Sequence, residues 1–472
     1  MNDRTPSPLF VCHGCGAVVD PADTFPFACP GARADDDIDH VLVAPIDFEV
    51  GSAPQALPQT PSSAALSRGE RGGASDSSPS PLRGGPERPD EREDNPFLRY
   101  RRWLSPYRLA RRRGLSDAAW QDVVGELDEA LEAVDGRGFR RTPFVRQPAL
   151  AAALGFAGPL WIKDETGNVS GSHKARHLMG LMLYLRVLEI SRLALGENLR
   201  ARRLAIASCG NAALAAAAIA RAADWPLDVF IPTDAERSVA RRLRDLGAQV
   251  EVCGRRPGEA GDPCVHAARR AVGRGAISFG VQGPDNGLAV EGARTLAFEM
   301  AESLAAEGAE IDALYVQVGG GALASALAQG FSIAAATGLA RRAPRLIAVQ
   351  TEGCAPLARA WGRLEGVALD KAVRSRSRFM QPWDSVPMSL ASGILDDETY
   401  DWFEVVKALR ETGGEAVVAE ETAVEQAIEL VRAHTDVRAS ATGSAGLAGA
   451  LAAPAQGAVA AVLSGIERGA GG

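Results

Sequence analysis

Apolar residues after Gly136 follow two patterns that alternate along the chain. Short continuous runs are typical of strands, and they are RLAIAS, LDVFIP, QVEVCG, ALYVQV and RLIAVQ. Longer runs carry apolar residues at helical spacing, and they are NAALAAAAIARAA, ERSVARRLRDLGA, PCVHAARRAV and ALASALAQG. Strands and helices that alternate at this interval indicate parallel sheets covered by helices on both faces. The pattern therefore predicts an α/β fold.

The residues before this alternation divide into a helical part and a linker. Residues 96–134 carry apolar residues at helical spacing, most clearly in AAWQDVVGELDEALEAV, and Ser116 is a suitable N-cap for that helix. Residues 49–95 are dominated by proline, serine, glycine and charge, with too few large apolar residues to form a core. We expect a flexible linker there, so deleting residues 1–94 is expected to leave a soluble and functional protein.

A cysteine-containing segment lies within residues 1–48. Cys12 and Cys15 form a C-x-x-C pair, and Cys29 follows, in stretches typical of the strands and turns of a zinc ribbon. Structural zinc takes about four ligands, and a fourth cysteine is absent. Candidates for the remaining ligand are His13, His40 and the aspartates of 35–37. The alternative is a degenerate ribbon without metal.

Charge and composition narrow the class of partner. The 472 residues include 51 Lys plus Arg and 59 Asp plus Glu, and the net charge of -8 argues against binding a nucleic acid through its phosphates. The N-terminus lacks the apolar core of a signal peptide, and the longer apolar tracts are interrupted, so no membrane span is expected. The seven cysteines do not form the dense framework of a secreted domain. We expect a cytoplasmic enzyme whose partner is a small molecule.

The stretch NVSGSHKARH places one lysine, Lys174, among glycine, serine and histidine. A lysine amine forms a Schiff base with a carbonyl when its pKa is lowered by burial or by neighbouring cations. Candidates for such cations are His173, Arg176 and His177. Gly171 and Ser172 allow a ligand to approach the backbone closely. A lysine at the start of a helix is more often a solvated charge, so the hypothesis depends on further motifs.

Two loops that join a strand to a helix are suited to bind an anion. ASCGNAALAAA places Ser208, Gly210 and Asn211 where free N–H groups face the end of a strand. YVQVGGGALASAL places residues 319–321 in the same position, as a backbone nest for a phosphate. The nest lacks the last glycine of the dinucleotide fingerprint, and no Gly-Lys-Ser/Thr of a P-loop follows it. An amine, an asparagine loop and a phosphate nest together indicate pyridoxal phosphate.

On these motifs the chain resembles the tryptophan-synthase-β-like family of pyridoxal enzymes, also called fold type II, from about Arg141 to Arg468. The family includes threonine synthase and threonine/serine dehydratase. The resemblance implies a two-domain catalytic region at 96–472, with a smaller subdomain at roughly 178–285 inserted in the larger one. It also implies an amino-acid substrate and a homodimer.

The resemblance further implies roles for individual residues. Lys174 matches the Schiff-base lysine, and Asn211 matches the asparagine that bonds the phenolic oxygen of the cofactor. His173 is similar to a histidine near the phosphate in the tryptophan synthase β chain, and Ser464 in AVAAVLSGIER matches the hydroxyl residue at the ring nitrogen. The phosphate loop is matched by Gly319, Gly320 and Gly321. Residues expected to contact the substrate are Ser170, Gly171, Ser172, Ser208 and Gly210.

The motifs leave the reaction open. The S-H-K triplet is similar to tryptophan synthase β, whereas the Asn211 loop and the cysteine ribbon resemble threonine synthases. SLASGILDDETYDWF, from Ser389, resembles a substrate-facing segment of the family without fixing the substrate. The leading hypothesis is a lyase like threonine synthase or threonine/serine dehydratase, in which Lys174 removes the Cα proton before a side-chain substituent leaves. Alternatives are a tryptophan synthase β-like or thiol-dependent replacement enzyme, and a non-catalytic pyridoxal-binding protein.

Overall fold

Two mainly parallel sheets joined by a buried helix form the framework of the molecule. The computed structural model describes residues 9–19, 27–33, 35–45, 94–193, 198–255 and 261–468. Its strands are β1 (Phe10–Cys12), β2 (Val18–Val19), β3 (Leu42–Val43), β4 (Phe144–Arg146), β5 (Leu160–Asp164), β6 (Leu204–Ala207), β7 (Leu227–Pro232), β8 (Gln249–Cys253), β9 (Ile277–Ser278), β10 (Ala313–Gln317), β11 (Arg345–Thr351), β12 (Glu415–Ala419) and β13 (Val459–Leu463).

Helices surround both sheets. They are α1 (Pro96–Arg99), α2 (Ser105–Arg112), α3 (Asp117–Asp135), α4 (Pro148–Ala153), α5 (Lys174–Ile190), α6 (Asn211–Ala222), α7 (Arg237–Asp245), α8 (Pro263–Gly273), α9 (Arg294–Ala306), α10 (Ala322–Ala336), α11 (Pro356–Arg363), α12 (Leu369–Val373), α13 (Arg376–Phe379), α14 (Trp402–Thr412), α15 (Glu421–His434) and α16 (Ala441–Ala452). Short 3₁₀ turns lie at Arg101–Trp103, Val169–Gly171, Leu199–Ala201, Glu291–Ala293 and Ser392–Ile394.

The larger sheet has the strand order β12-β11-β10-β13-β5-β4, with β4 antiparallel and the others parallel. Its central strands β10 and β13 are buried along their whole length, which explains their continuous apolar sequence. Leu314 and Val316 pack towards α9, α10 and α14, whereas Ala313 and Tyr315 pack towards α15 and α16. Each face of this sheet therefore has its own core.

The smaller sheet has the order β8-β7-β6-β9, and all its strands are parallel. Phe230 packs against α8 on one face, and Val229 packs towards α5 and α6 on the other. The α/β fold class predicted from the sequence is confirmed. The strands of this sheet fall within 178–285, while the boundaries of the predicted subdomain stay a prediction.

Local elements follow the sequence patterns closely. The strand-like runs form β6, β7, β8, β10 and β11, and the helix-like runs form α6, α7, α8 and α10. Helix α3 begins at Asp117, and the Ser116 hydroxyl accepts a hydrogen bond from the N–H of Ala119, as expected of an N-cap. The predicted linker at 49–95 lies outside the described residues as far as residue 93.

Helix α5 runs between the two sheets. Every residue from Ala175 to Leu185 is buried, because the helix is apolar on nearly all sides. A Cβ atom at Gly180 would lie only 2.8 Å from the Cα of Gly292, so a glycine is required at this crossing. The first residue of this tightly held helix is Lys174. Within the described ranges, no helix is both long enough and apolar enough to cross a membrane.

The N-terminal ribbon packs against the catalytic region. Strands β1, β2 and β3 form an antiparallel sheet in the order β2-β1-β3. The ring of Phe10 is fully buried and meets the ring of Tyr184 on α5 edge to face. Leu42 is buried against Gly287, where a Cβ atom would lie 2.5 Å from that of Leu42. The ribbon and α5 share one core, so the premise of a ribbon separated by a flexible tether is wrong.

Candidate active site

The carboxyl end of β13 is the place where the predicted site residues meet. The backbone oxygen of Ser464 accepts a hydrogen bond of 3.0 Å from the N–H of His173. The N–H of Ile466 donates to the backbone oxygen of Gly171 at 2.8 Å. These bonds attach the loop before α5 to the end of the strand. Lys174 therefore lies at the edge of the sheet where ligands bind in open parallel sheets.

Lys174 is the lysine whose surroundings suit covalent attachment of a ligand. The chain contains four lysines. Lys163 is fully buried in an ion pair, Lys371 is exposed on α12, and Lys407 lies beside a carboxylate of its own helix. Lys174 is partly buried, and no hydrogen bond holds its amine in the described part of the chain.

Burial lowers the pKa of the Lys174 amine, against the opposing effect of the nearby carboxyls of Asp396 and Asp401. A lower pKa increases the fraction of the neutral, nucleophilic amine. Neighbouring cations, in contrast, do not produce this effect. Burial lowers the pKa of His173 well below its ordinary value and that of His177 to about 3, so both imidazoles are neutral.

Arg176, the third expected cation, belongs to a group of buried charges that we call the balanced cluster. Its members are Lys163, Glu165, Arg176 and Glu299. Arg176 donates to Glu165 at 2.9 and 3.0 Å and to Glu299 at 2.6 Å, and Glu299 also pairs with Lys163. Because its charge is matched within the cluster, Arg176 fixes the first turn of α5 rather than tuning Lys174.

The loop before α5 holds its polar groups in a strained conformation. Ser170 has a φ of 54° and Gly171 a φ of 68°, both in the left-handed region. The N–H of Ser170 donates to Asp135 at 2.7 Å, and a Cβ atom at Gly171 would lie 2.5 Å from the side chain of Ile466. The hydroxyls of Ser170 and Ser172 are buried without a partner in the described residues. The strain and the unpaired hydroxyls mark this loop as a functional one.

Asn211 is brought to the same edge by the start of α6. Its Oδ1 atom accepts a hydrogen bond of 3.0 Å from Arg468, which also donates to the backbone of the loop before α5. A Cβ atom at Gly465 would lie 2.7 Å from Nδ2 of Asn211, so the chain after β13 touches this side chain. Ser208 accepts from the N–H of Gly210 at 3.3 Å, which closes the turn. Their predicted contacts with a substrate stay a prediction.

The glycine loop at 319–321 follows β10 and lies beneath residues 389–404, which we call the cover segment. A Cβ atom at Gly319 would lie 2.8 Å from the Cα of Ile394, and Gly321 has a φ of 96°. Side chains at these positions would therefore collide with the cover segment or strain the turn. This segment includes the stretch SLASGILDDETYDWF that the sequence related to the substrate.

Two carboxyls of the cover segment, Asp396 and Asp401, form what we call the acidic pair. Asp396 accepts a hydrogen bond from the backbone of Gly320, and Asp401 accepts from the N–H of Gly283 at 3.3 Å. Burial raises the pKa of Asp396 to about 6, although Lys174 lowers it, and burial raises the pKa of Asp401 well above its ordinary value. The contact to Gly320 demonstrates that the loop presents an N–H to an anion. Sequence reasoning missed both carboxyls.

Ser464 has a second partner that the sequence did not reveal. Its hydroxyl oxygen accepts a hydrogen bond of 2.6 Å from the side-chain amide of Gln317, at the end of β10. The hydroxyl proton of Ser464 is therefore available to donate to a ligand. Its predicted place at the ring nitrogen of the cofactor stays a prediction.

These groups fit pyridoxal phosphate. Buried polar atoms without a partner in the described residues are Ser170 Oγ, Ser172 Oγ, His173 Nε2, Gln317 Oε1 and Asp401 Oδ1. Each such atom costs about 1–3 kcal/mol unless something pairs with it. A ligand with phosphate, phenolic and ring-nitrogen groups supplies partners of the required kinds. Lys174, the glycine loop, Asn211 and Ser464 are the residues that would hold it.

The sequence profile of the pyridoxal-phosphate dependent enzymes matches residues 137–465, and the chain belongs to this family. Pyridoxal phosphate is the cofactor of that family. Among its relatives, the mouse protein named serine dehydratase-like is 31% identical over 200 residues, which cover 42% of this chain and 54% of the mouse protein. The catabolic L-serine/threonine dehydratase of Saccharomyces cerevisiae is 28% identical over 222 residues, covering 46% of this chain and 58% of the yeast protein. The match thus spans just over half the length of these relatives.

Solved structures show the same fold. A bacterial-type threonine deaminase, from T.th., superimposes with a TM-score of 0.54 at 23% identity, covering 73% of this chain and 98% of that chain. Maize serine racemase superimposes with a TM-score of 0.53 at 20% identity, covering 73% of this chain and 94% of that chain. At these identities the likeness concerns the architecture, and the catalysed reaction is a separate question.

The structure also brings the predicted metal ligands of the ribbon together. One ligand atom from each of four residues lies within 4.8 Å of the others, and these residues are Cys12, Cys15, Cys29 and His40. His13, another candidate for the fourth ligand, contacts Glu404 instead. The sequence could not choose between them, because both histidines lie near the cysteines along the chain.

Proposed function

We propose that the protein is a pyridoxal-phosphate-dependent lyase that removes water from L-serine or L-threonine and releases a keto acid and ammonia. The observation that carries this proposal is the amine of Lys174. It has no hydrogen-bond partner in the described residues, its pKa is lowered by burial, and it lies where β13, the glycine loop and α6 meet. The dehydratase names of the relatives support the same reaction.

The cofactor, when bound, supplies an aldehyde that reacts with amines and a ring that withdraws electrons from the substrate Cα. The chain supplies a base, because the neutral amine of Lys174 accepts the Cα proton at Nζ. It also supplies acids for the departing hydroxyl group. With its raised pKa, Asp396 keeps its proton up to about pH 6, and Asp401 keeps it higher, while both lie near enough to influence Lys174.

A neutral hydroxyl as the ring-nitrogen partner favours elimination over transamination. Ser464 offers such a hydroxyl, already oriented by Gln317. A carboxylate in its place would keep the ring nitrogen protonated and strengthen the ring as an electron acceptor. The side-chain bond of a serine or threonine substrate breaks without that stronger acceptor.

The acidic pair argues against the reaction of threonine synthase. That reaction needs a site for the phosphate of an O-phosphorylated substrate. In the described residues, the charged groups that act on Lys174 are the carboxyls of Asp396 and Asp401, which repel a second phosphate. The pair suits a substrate with an uncharged hydroxyl side chain.

A panel of substrates tests the proposal. We expect L-serine and L-threonine to give pyruvate and 2-ketobutyrate with equimolar ammonia, and Lys174→Ala to give neither. O-phosphohomoserine, and L-serine with indole or a thiol, are the competing substrates. Formation of threonine, tryptophan or a thioether without keto acid would identify a synthase or a replacement enzyme. Cofactor binding without any reaction would identify a non-catalytic pyridoxal-binding protein.

A further inference from the structure

We propose that Cys12, Cys15, Cys29 and His40 bind a structural zinc ion, which holds the ribbon against the cover segment of the active site. The proposal concerns a site outside the catalytic centre and does not depend on the reaction that the enzyme catalyses. Three thiolates and one imidazole form a donor set that selects zinc among the abundant divalent metals.

The spacing of the ligand atoms suits a tetrahedral ion. The Sγ atoms of Cys15 and Cys29 are 3.5 Å apart, and Sγ of Cys12 is 3.5 Å from Nδ1 of His40. Two sulfur atoms on a tetrahedral zinc, each about 2.3 Å from the metal, are roughly 3.8 Å apart. A disulfide requires about 2.05 Å, so the sulfurs are spaced for a metal rather than for a covalent bond.

The orientation of His40 is that of a metal ligand. Its Nδ1 atom faces Cys12, and its Nε2 atom is 3.1 Å from a carboxylate oxygen of Asp36. A carboxylate accepts a hydrogen bond from Nε2–H, which leaves the lone pair on Nδ1 for the metal. The N–H of Gly31 donates to Sγ of Cys29 at 3.3 Å, as expected for a thiolate ligand. The surrounding groups therefore fix both the tautomer and the ligand direction.

The other candidates for the fourth ligand have different partners. His13 contacts Glu404, at the end of the cover segment. Asp37 accepts hydrogen bonds of 2.8 Å from the N–H and the hydroxyl of Ser377. His40 is thus the residue that completes the site.

The metal ligands are continuous with contacts to the catalytic region. Asp39, next to His40, is buried; its N–H donates to Val373 at 2.7 Å, and its carboxylate accepts from Arg376 at 3.1 Å. Arg376 also pairs with Glu398 of the cover segment. A metal that fixes His40 therefore fixes the loop that positions the cover segment over the glycine loop.

Metal analysis of the full-length protein, purified without chelator, tests the site. We expect stoichiometric zinc, and replacement by Co²⁺ is expected to give the absorption bands of thiolate-bound tetrahedral cobalt. Cys15→Ser and His40→Gln should lose the metal, whereas His13→Gln and Cys253→Ser should keep it. A wild-type chain without zinc or cobalt bands, a Cys12–Cys15 disulfide in its place, or full metal in His40→Gln would overturn the assignment.

Hydrogen exchange of the same proteins tests the link to the active site. We expect chelation of the wild type, and His40→Gln, to increase exchange in peptides from 389–404 at least tenfold. Cys253→Ser should behave like the untreated wild type. Unchanged exchange in those peptides after loss of the metal would refute the holding role, since the metal would then stabilise the ribbon alone.

Discussion

Two groups of buried charges lie beside Lys174, and they are built in opposite ways. In the balanced cluster two cations meet two carboxylates; burial raises the pKa of Glu299, but Arg176 and Lys163 outweigh it and lower the value to about 2. In the acidic pair, burial raises the pKa values, and Oδ1 of Asp401 has no partner in the described residues. The difference separates charges that hold the fold from charges that await a ligand.

The structural reason is the location of each group. The balanced cluster lies beneath the first turn of α5, where four charges neutralise one another and a strained loop is held in place. The acidic pair lies on the cover segment above the glycine loop, where a substrate and a phosphate have to enter. Incomplete pairing of buried groups is therefore concentrated on the side that binds ligands.

The largest expected effect comes from breaking the balanced cluster. Glu299→Gln removes the charge that pairs with Arg176 and Lys163, so the free energy of unfolding should fall by about 3–5 kcal/mol in urea titrations. The matched control is Glu310→Gln, whose ion pair with Arg341 is exposed and worth less than about 1 kcal/mol. Equal losses in both variants would contradict the role of the cluster.

The pH dependence of stability should show the same cluster. The pKa of Glu299 is depressed in the folded chain, from 4.5 to about 2, so its stabilisation is complete above 4.5 and is lost as the pH falls towards 2. The shift corresponds to about 3 kcal/mol. Unfolding measured between about pH 5 and 2.5 should show this loss in the wild type. Glu299→Gln should lack that component, and a parallel loss in the variant would argue against the assignment.

A smaller effect is expected on cofactor affinity. Asp396 carries a negative charge above its pKa of about 6 and accepts from the same loop that is expected to bind the phosphate. Asp396→Asn should therefore bind pyridoxal phosphate about fivefold more tightly at about pH 7.5, near 1 kcal/mol. The gain should vanish at about pH 5, where the wild-type carboxyl is protonated. Weaker binding in the variant would show that the carboxylate does not oppose the phosphate.

The smallest effect is expected from neutralising Asp401. Burial raises its pKa and so already favours the protonated carboxyl, and an amide can accept the same hydrogen bond from Gly283. Asp401→Asn should change the free energy of unfolding by less than about 1 kcal/mol, in contrast to Glu299→Gln. A loss comparable to that of Glu299→Gln would make the acidic pair a structural element like the balanced cluster.

The fold and the catalytic edge could be predicted from the sequence because both depend on local patterns. Periodicity located β6, β7, β8, β10 and β11 and their helices, and strand-to-helix junctions located Asn211 and the glycine loop. Parallel strands bring such junctions to one edge, so Lys174, Asn211 and Ser464 meet there. The family profile that matches 137–465 agrees with that organisation.

Other features of the site depend on contacts between residues far apart in the sequence. Arg176 pairs with Glu299 across 123 positions, and no local pattern reveals such a partner. Asp396 and Asp401 lie in a segment without regular periodicity, so their burial could not be anticipated. The fourth ligand of the ribbon follows from the turn that brings His40 to Cys12. The docking of the ribbon reversed the expectation of a separable segment.

The attachment point of the cofactor tests the central claim most directly. Reduction of the cofactor-loaded protein with borohydride, followed by peptide mapping, should place the phosphopyridoxyl group on Lys174 alone. Lys174→Ala should carry no label, because the other lysines are either buried in an ion pair or set on helices away from this loop. A label on Lys163, Lys371 or Lys407, or a labelled Lys174→Ala variant, would contradict the account.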